Sequence, residues 1–202
     1  MDTAATTQEA VDAIVRNAVP PQGCWSDTDY LWLAGRLARH LEMTDGRIEQ
    51  PPMPTETHQL VLQFLFSAFA AFVRPRGGVV LFAPFPLRVR EGKYREPDLA
   101  VLCDADDARR ADARWTGADL VLETVSPDDA ARDYVVKRAD YAEAGIPEYW
   151  IVDPRTELVT VLTLSGDAYA EDGAYGRGDT AVSRVLDGFD IAVDAVFDFA
   201  RR

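Results

Sequence analysis

The sequence predicts an α/β domain in which one mixed β-sheet packs against helices. Three observations indicate this class. Apolar residues recur at helical spacing before residue 74, strand-like segments rich in β-branched and aromatic residues follow, and a helix then separates them from further strands. The chain has 202 residues, 48% of them hydrophobic, which suffices for one domain with a sizeable core. This order of elements is typical of a mixed sheet flanked by helices.

The N-terminal part is predicted to be an appendage of residues 1–25 on a domain of residues 26–202. Its weak helical pattern ends at Pro20 and Pro21, because proline cannot continue a helix. A further helix is predicted over residues 26–40, where leucines recur at helical spacing after a Ser-Asp capping sequence.

A β-hairpin and a long helix are predicted next. The segment LEMTDGRIEQPP places an Asp-Gly turn between two short extended pieces, which is a hairpin pattern. The helix is predicted to run from about Thr55 to Val73 and to stop near Pro75. Its apolar stretch over residues 60–73 is too short for a membrane span, so we expect a buried core helix.

The remaining segments predict a sheet with one helix crossing it. VVLFAPF, LRVR and DLAVLCD have the composition of strands, and DLVLETV is predicted to be a buried strand because both of its faces are apolar. Ser126, Pro127 and two acids then predict the start of a helix that runs to about Ala144 and stops at Gly145. YWIVD and LVTVLTL predict two further strands, and a short amphipathic helix is predicted from about Asp194.

The chain is strongly acidic, with 34 Asp and Glu against 21 Lys and Arg and a net charge of −13. Such a chain does not bind nucleic acid through its whole surface, although a local basic patch or a metal-assisted phosphate site stays open. Cys24 and Cys103 are too few for a disulfide scaffold, and with only two histidines they argue against a structural zinc site. The sequence has no secretory signal pattern and no membrane segment, so we expect a cytoplasmic protein.

Two carboxylates in apolar surroundings are candidate metal ligands. Glu123 lies inside DLVLETV, where an ionised carboxylate is costly unless it is paired or bound to a metal. Its alternatives are a buried ion pair and a position on a water-facing edge strand. Asp98 follows Pro97 and opens the strand DLAVL, where an acid is usually a turn residue. Together, two acids on neighbouring strands can share one divalent ion, as in Mg²⁺-dependent phosphoryl chemistry.

Lys137 is the third candidate, in the helix that is predicted directly after the strand of Glu123. Asp133 lies one turn earlier, so the two side chains can share a face of the helix. If Lys137 points at the carboxylates, it would orient a water or offset the charge that develops on a phosphate. The alternative is a solvent-exposed pair, which is the commoner fate of such residues.

Three ordered segments between Arg95 and Asp153 carry a family resemblance, namely REPDLAVL, ADLVLETVSPDD and RDYVVKRADYAEAGIPEYWIVDP. They resemble the Uma-two family of restriction endonucleases, which belongs to the PD-(D/E)XK phosphodiesterase superfamily. The hairpin segment and the helix after it also resemble the family, so the resemblance covers about residues 27–200. It implies a restriction-endonuclease-like core with an N-terminal helical and hairpin accessory segment.

By this resemblance Asp98 and Glu123 match the two metal-binding acids of the superfamily, and Mg²⁺ or Mn²⁺ is the implied ion. The superfamily lysine usually lies two residues after the second acid, where this chain has Val125. The resemblance therefore implies that the role of this lysine has moved to Lys137 in the following helix.

Other residues are expected near the same pocket. Glu42 and His58 match positions that can line it, with a hairpin-surface acid and a helix-surface or otherwise satisfied histidine as their alternatives. Asp133 is a third possible accessory residue. A local basic cluster could contact phosphates, although a solvated hairpin is its default interpretation. This cluster consists of Arg88, Arg90, Lys93 and Arg95.

The activity that these expectations imply is metal-dependent endonucleolytic hydrolysis of nucleic acid, with DNA as the expected substrate and a homodimer as the expected assembly. One alternative is a catalytically silent nuclease-fold interaction module, which the net charge and Val125 favour. Another is a hydrolase of a smaller phosphodiester. A positive groove that leads to Asp98 and Glu123 would favour the nuclease, whereas an acidic rim would favour the other two.

Overall fold

The protein is described by a computed structural model that covers residues 19–37 and 39–201. Most of the helical pattern that the sequence predicts over residues 1–22 lies outside the described residues. The division into an appendage of residues 1–25 and a domain of residues 26–202 therefore stays a prediction.

The described residues form four α-helices, one 3₁₀ turn and one π-helical segment. They are α1 (Asp27–Ala34), α2 (Glu56–Val73), α3 (Arg138–Glu143) and α4 (Val193–Phe199), with a 3₁₀ turn at Arg74–Arg76 and a π-helical segment at Arg132–Lys137 that continues into α3.

The strands form two six-stranded mixed sheets and one small hairpin. They are β1 (Glu42–Thr44), β2 (Arg47–Glu49), β3 (Val79–Phe82), β4 (Leu87–Arg90), β5 (Lys93–Arg95), β6 (Leu99–Leu102), β7 (Arg110–Ala111), β8 (Arg114–Trp115), β9 (Leu120–Thr124), β10 (Glu148–Asp153), β11 (Leu158–Ser165), β12 (Ala168–Tyr175), β13 (Thr180–Val182) and β14 (Asp190–Ala192). The first sheet has the order β2-β1-β5-β4-β8-β7 and the second β12-β11-β10-β9-β6-β3, while β13 pairs with β14. The predicted α/β class with a mixed sheet and flanking helices is confirmed, although the chain builds two such sheets.

The core lies on both faces of the second sheet. Its strands β6 and β9 carry apolar residues on both sides, so alternate residues enter two different clusters. Leu99 and Leu122 pack with Phe69 of α2, whereas Ala100 and Val121 lie on the opposite side. The second sheet, which is the main sheet of the protein, therefore has an apolar cluster on each of its faces.

The long helix predicted from Thr55 is confirmed as α2. The hydroxyl of Thr55 accepts a hydrogen bond from the backbone N–H of His58 and caps the helix. The preceding helix is shorter than predicted: α1 ends at Ala34, with Gly35 as its C-cap, whereas the pattern predicted a helix over residues 26–40. The leucines after Ala34 therefore lie outside the helix, because the chain leaves the helix at Gly35.

The predicted hairpin is also present, as β1 and β2. Its turn uses Asp45 and Gly46, both at positive φ. Strand β1 pairs with β5 as well, with Met43 opposite Tyr94, so the hairpin is the edge of the first sheet. This pairing carries Glu42 from a segment that is distant in sequence towards the ends of β6 and β9.

The helix after β9 begins later than predicted. Ser126–Asp129 form an extended connection and a turn, and helical geometry starts at Ala130. The predicted helix start at Ser126 is therefore wrong, because the chain uses these residues to turn away from the sheet. The wider π-helical turn at Arg132–Lys137 follows.

The C-terminal part of the chain packs on the face of the second sheet that α2 covers. Helix α4 begins at Val193, close to the predicted start at Asp194, and its Val196 and Phe197 join the same apolar cluster as α2. Within the described residues, we find no helix with the length and apolar character that crossing a membrane requires.

Candidate active site

The antiparallel pairing of β6 with β9 sets the relation between the two candidate metal ligands. Leu99 lies opposite Leu122 in this ladder. One residue beyond this pair, the same register places Asp98 opposite Glu123 and directs both side chains to the same face. The backbone N–H of Thr124 donates a 2.7 Å hydrogen bond to Oδ2 of Asp98, which holds the two strand ends together.

Asp98 is buried and has one carboxylate oxygen bound on two sides. His58 Nε2 lies 3.0 Å from Oδ2, the same oxygen that accepts from the backbone of Thr124. Among the described residues, Oδ1 has no hydrogen-bond partner. Burial alone would raise the pKa of Asp98, but the hydrogen bond and charge of His58, aided by Lys137, lower it below its ordinary value. Asp98 is therefore an ionised carboxylate with one oxygen left for a ligand.

Glu123 is buried on the opposite strand and both of its oxygens are engaged. The Tyr141 hydroxyl donates to Oε1, and Lys137 Nζ lies 2.8 Å from Oε2. Burial raises the pKa of Glu123 to about 8, and the negative charges of Asp98 and Asp133 add to this effect while Lys137 opposes it. The sequence left a buried ion pair as an alternative for Glu123, and the structure contains this pair, with Lys137 as the cation.

Lys137 is only 7% exposed, which excludes the solvent-exposed pair. Its Nζ lies 3.4 Å from Asp133 Oδ1 and 3.9 Å from Glu42 Oε1, in addition to its contact with Glu123. Burial alone would lower the pKa of Lys137, but Glu123, Glu42 and Asp133 together raise it. The ammonium group therefore stays charged at the centre of a ring of carboxylates.

Glu42 is fully buried, so the hairpin-surface alternative is excluded for it. Arg132 forms an ion pair with Oε2 of Glu42, and Arg95 Nε lies 3.7 Å from the same oxygen. Burial opposes the ionisation of Glu42, but Lys137, Arg95 and Arg132 outweigh it and lower its pKa. Glu42 thus links the N-terminal hairpin to the helix that carries Lys137.

All six residues that the sequence nominates for the site line one cavity of about 150 Å³. They are Glu42, His58, Asp98, Glu123, Asp133 and Lys137. They come from β1, α2, the residue directly before β6, β9 and the π-helical segment, so five separate pieces of chain form the walls. The helix-surface alternative for His58 is excluded by its burial and its contact with Asp98.

Comparison with known proteins assigns the chain that forms this cavity to a family. The sequence profile of the Uma2 family, described as "Putative restriction endonuclease", matches residues 28–194. The chain belongs to the Uma2 family. A search of the curated proteins finds no match to it.

A solved structure has the same fold as this Uma2 chain. It is the crystal structure of a protein from Anabaena variabilis that is described as "a putative nuclease belonging to DUF820". The two superpose with a TM-score of 0.68 at 18% sequence identity, and the match covers 84% of this chain and 98% of the other. At this identity the match establishes the restriction-endonuclease-like fold.

The donor atoms of the Uma2 cavity fit a hard divalent cation. Asp98 has a free oxygen, and Glu123 is a carboxylate whose charged form is disfavoured by burial and would gain from a nearby cation. Within the described ranges, no three His, Cys, Asp or Glu side chains are arranged to hold a metal. Mg²⁺ does not require three, because it commonly binds one or two protein carboxylates and completes its shell with water and phosphate oxygens.

The structure adds cavity residues that the sequence did not single out. One of them is Arg132, which reaches the cavity and pairs with Glu42. Tyr141 does not line the cavity, but it donates a hydrogen bond to Glu123 from behind it. It lies one turn beyond Lys137, so helical periodicity could have found it. Glu96 also lines the cavity, and burial raises its pKa to about 8. The sequence signal for Glu96 was only its proximity to Asp98.

Three cations of the local basic cluster, Arg90, Lys93 and Arg95, are engaged with acids of α3 and do not form a free phosphate-binding surface. Lys93 Nζ lies 2.8 Å from Asp140 and 2.7 Å from Glu143, and Arg95 is buried against Asp140. Arg90 contacts Glu143 as well. These cations neutralise acids of α3, so they hold the first sheet against that helix.

Proposed function

We propose that this Uma2 chain hydrolyses phosphodiester bonds of nucleic acid, with DNA as its substrate and Mg²⁺ or Mn²⁺ as its cofactor. The observation that carries the proposal is the placement of Asp98 opposite Glu123 with the Lys137 ammonium 2.8 Å from Glu123. Two acids at adjacent strand ends, with a cation close to one of them, are the groups that phosphoryl-transfer sites use. Membership of the Uma2 family and the nuclease fold support the same reaction class.

Asp98 and Glu123 are the residues that would hold the divalent ion. When bound there, such an ion polarises the scissile phosphate and lowers the pKa of a water. The protein's own contribution is to fix the two carboxylates. Asp98 is held by His58 and by the backbone of Thr124, while Tyr141 orients Glu123. This pre-organisation lowers the cost of reaching the reactive geometry.

Lys137 supplies the positive charge that the strand itself lacks. Its ammonium group can orient the attacking water or stabilise the negative charge that develops on the phosphate oxygens. Asp133 and Glu42 lie within 4 Å of Nζ and hold it in place. The residue at the usual superfamily position, Val125, is buried among apolar side chains and cannot take this role.

A second candidate function is hydrolysis of a smaller phosphodiester. The specific observation in its favour is the charge around the cavity, where Asp129 joins the acids of the site. The basic cluster of the first sheet is neutralised by ion pairs, and the chain carries a net charge of −13. A small substrate would need no extended positive surface.

A cleavage assay with matched variants tests the proposal. Purified protein is incubated with supercoiled plasmid and Mg²⁺ or Mn²⁺, with EDTA as the metal-free arm. We expect the wild type to nick the plasmid and Asp98→Asn to lose this activity. Asp119→Asn is the matched control and should keep it, because Asp119 precedes the opposite end of β9 and contacts Cys103 and Arg109. Asparagine keeps an acceptor for Thr124, so the first variant is expected to fold.

The outcomes separate the candidate functions. Cleavage of a small diester such as bis-p-nitrophenyl phosphate without nicking of DNA would favour the second candidate. A folded wild type that cleaves neither substrate with either ion would favour a catalytically silent interaction module. The expected homodimer belongs to the same proposal, because a paired enzyme can cut both strands of a duplex. Light scattering of the purified protein with and without duplex DNA tests it.

A further inference from the structure

Thr124 is a buried threonine whose hydroxyl has no protein partner. It is 2% exposed, and its Oγ1 has no hydrogen-bond partner among the described residues. Its backbone N–H is used, because it donates to Asp98. Buried polar side chains in folded proteins are nearly always hydrogen-bonded, so an orphaned hydroxyl in an otherwise well-satisfied sheet calls for a ligand.

Thr124 belongs to the wall of the cavity that α2 forms. Side chains alternate along β9, so Thr124 lies on the same face as Leu122, which packs against α2. Thr124 and His58 both line the cavity, and His58 Nδ1 is a second buried atom without a hydrogen-bond partner. On the opposite wall, Lys137 and Glu42 are engaged in ion pairs.

This wall has the chemistry of a phosphate contact. The first turns of the 18-residue helix α2 reach the cavity, and the N-terminus of a helix favours negative charge. A threonine hydroxyl can donate to a phosphate oxygen without adding charge to an acidic cavity. Its backbone bond to Asp98 fixes the position of Thr124 beside the candidate metal ligand.

We propose that the Thr124 hydroxyl donates a hydrogen bond to a non-bridging oxygen of the scissile phosphate. Thr124 is then a substrate-binding residue on the α2 side of the cavity, across from Lys137. The inference rests on the proposed function and deepens it, because it assigns a phosphate contact that neither the metal ligands nor Lys137 provide.

Two substitutions at this position give the test. Thr124→Val keeps the shape of the side chain and removes the hydroxyl, whereas Thr124→Ser keeps the hydroxyl. We expect kcat/KM for DNA cleavage to fall by about ten- to a hundredfold in Thr124→Val, which is the usual effect of losing a hydrogen bond to a charged group. Thr124→Ser is expected to stay within about threefold of the wild type. Thr160→Val, in β11 of the same sheet, is the matched control and should cleave normally.

Two further measurements distinguish phosphate binding from other roles. Mn²⁺ affinity by calorimetry is expected to be unchanged in Thr124→Val; a parallel loss would mean that the hydroxyl serves the ion instead. The urea midpoint of Thr124→Val is expected to match or exceed that of the wild type, because no protein hydrogen bond is lost. A clearly lower midpoint would indicate a structural role and overturn the proposal.

The proposed function and this inference fail in different ways. Cleavage by Thr124→Val at the wild-type rate would overturn the inference alone. A wild type that neither cleaves DNA nor binds a phosphorothioate oligonucleotide in the presence of Ca²⁺ would overturn the proposed nuclease function, and the phosphate contact with it. Fluorescence anisotropy of the labelled oligonucleotide gives the binding measurement.

Discussion

Lys137 Nζ lies 2.8 Å from Oε2 of Glu123, although the two residues belong to different elements. Glu123 and Val125 are two residues apart, so their side chains point to the same face of the sheet. The helix that carries Lys137 packs over that face. The cation beside Glu123 therefore comes from the helix above the strand, which is the arrangement that the proposed role of Lys137 requires. Val125 is free to join the apolar cluster, so the sheet keeps its packing while the site keeps its charge.

Glu123→Gln is expected to abolish Mn²⁺ binding while it leaves the fold intact. Burial already disfavours the charged form of Glu123, so a neutral amide should change the free energy of unfolding by no more than about 1 kcal/mol. Calorimetry with Mn²⁺ and urea denaturation of the apo protein provide the two measurements. Strong Mn²⁺ binding by the variant would remove Glu123 from the set of metal ligands.

Lys137→Met is expected to lower the turnover of DNA cleavage by orders of magnitude while metal affinity is kept or raised. The variant removes a buried cation from three carboxylates, so the apo protein should lose about 3–5 kcal/mol of stability. A divalent ion can replace part of this charge, and Mn²⁺ should therefore raise the melting temperature of Lys137→Met more than that of the wild type. Equal turnover in both proteins would return Lys137 to a purely structural role.

Glu42→Gln is expected to destabilise the protein by about 3 kcal/mol, because it leaves Arg132 and buried Arg95 without their shared anion. Glu49→Gln is the matched control. Glu49 also contacts Arg132, at 2.9 Å, but its side chain is 41% exposed, so its loss should cost less than about 1 kcal/mol. Urea denaturation compares the two. Equal effects would mean that burial of Glu42 does not set the strength of its ion pairs.

The double variant Arg90→Gln/Lys93→Gln is expected to bind DNA within about twofold of the wild type, with an unchanged salt dependence. Both side chains are engaged with Glu143, so they are unavailable to phosphates. Anisotropy titrations at several salt concentrations, with Ca²⁺ in place of Mg²⁺, give the slope. If the slope of log K against log salt concentration were smaller in magnitude by about two units in the variant, both side chains would contact the DNA backbone.

The sequence by itself determined the elements that carry the candidate site. Local periodicity was enough to place α2, the hairpin and the strands of Asp98 and Glu123, because helix and strand patterns depend on near neighbours. The cost of a carboxylate inside an apolar strand singled out Glu123. The spacing of Asp133 and Lys137 gave their common helix face. The nuclease family could be assigned from ordered motifs along the chain.

Only the tertiary structure decided which charges meet. Arg132 and Glu42 are distant in sequence, and the pairing of β1 with β5 brings them together. The same folding buries Arg95 against Asp140, which turns a basic sequence cluster into internal ion pairs. The orphaned hydroxyl of Thr124 is likewise visible only when all its neighbours are known. Such contacts join residues that are far apart in the chain, and no local pattern records the register or packing that creates them.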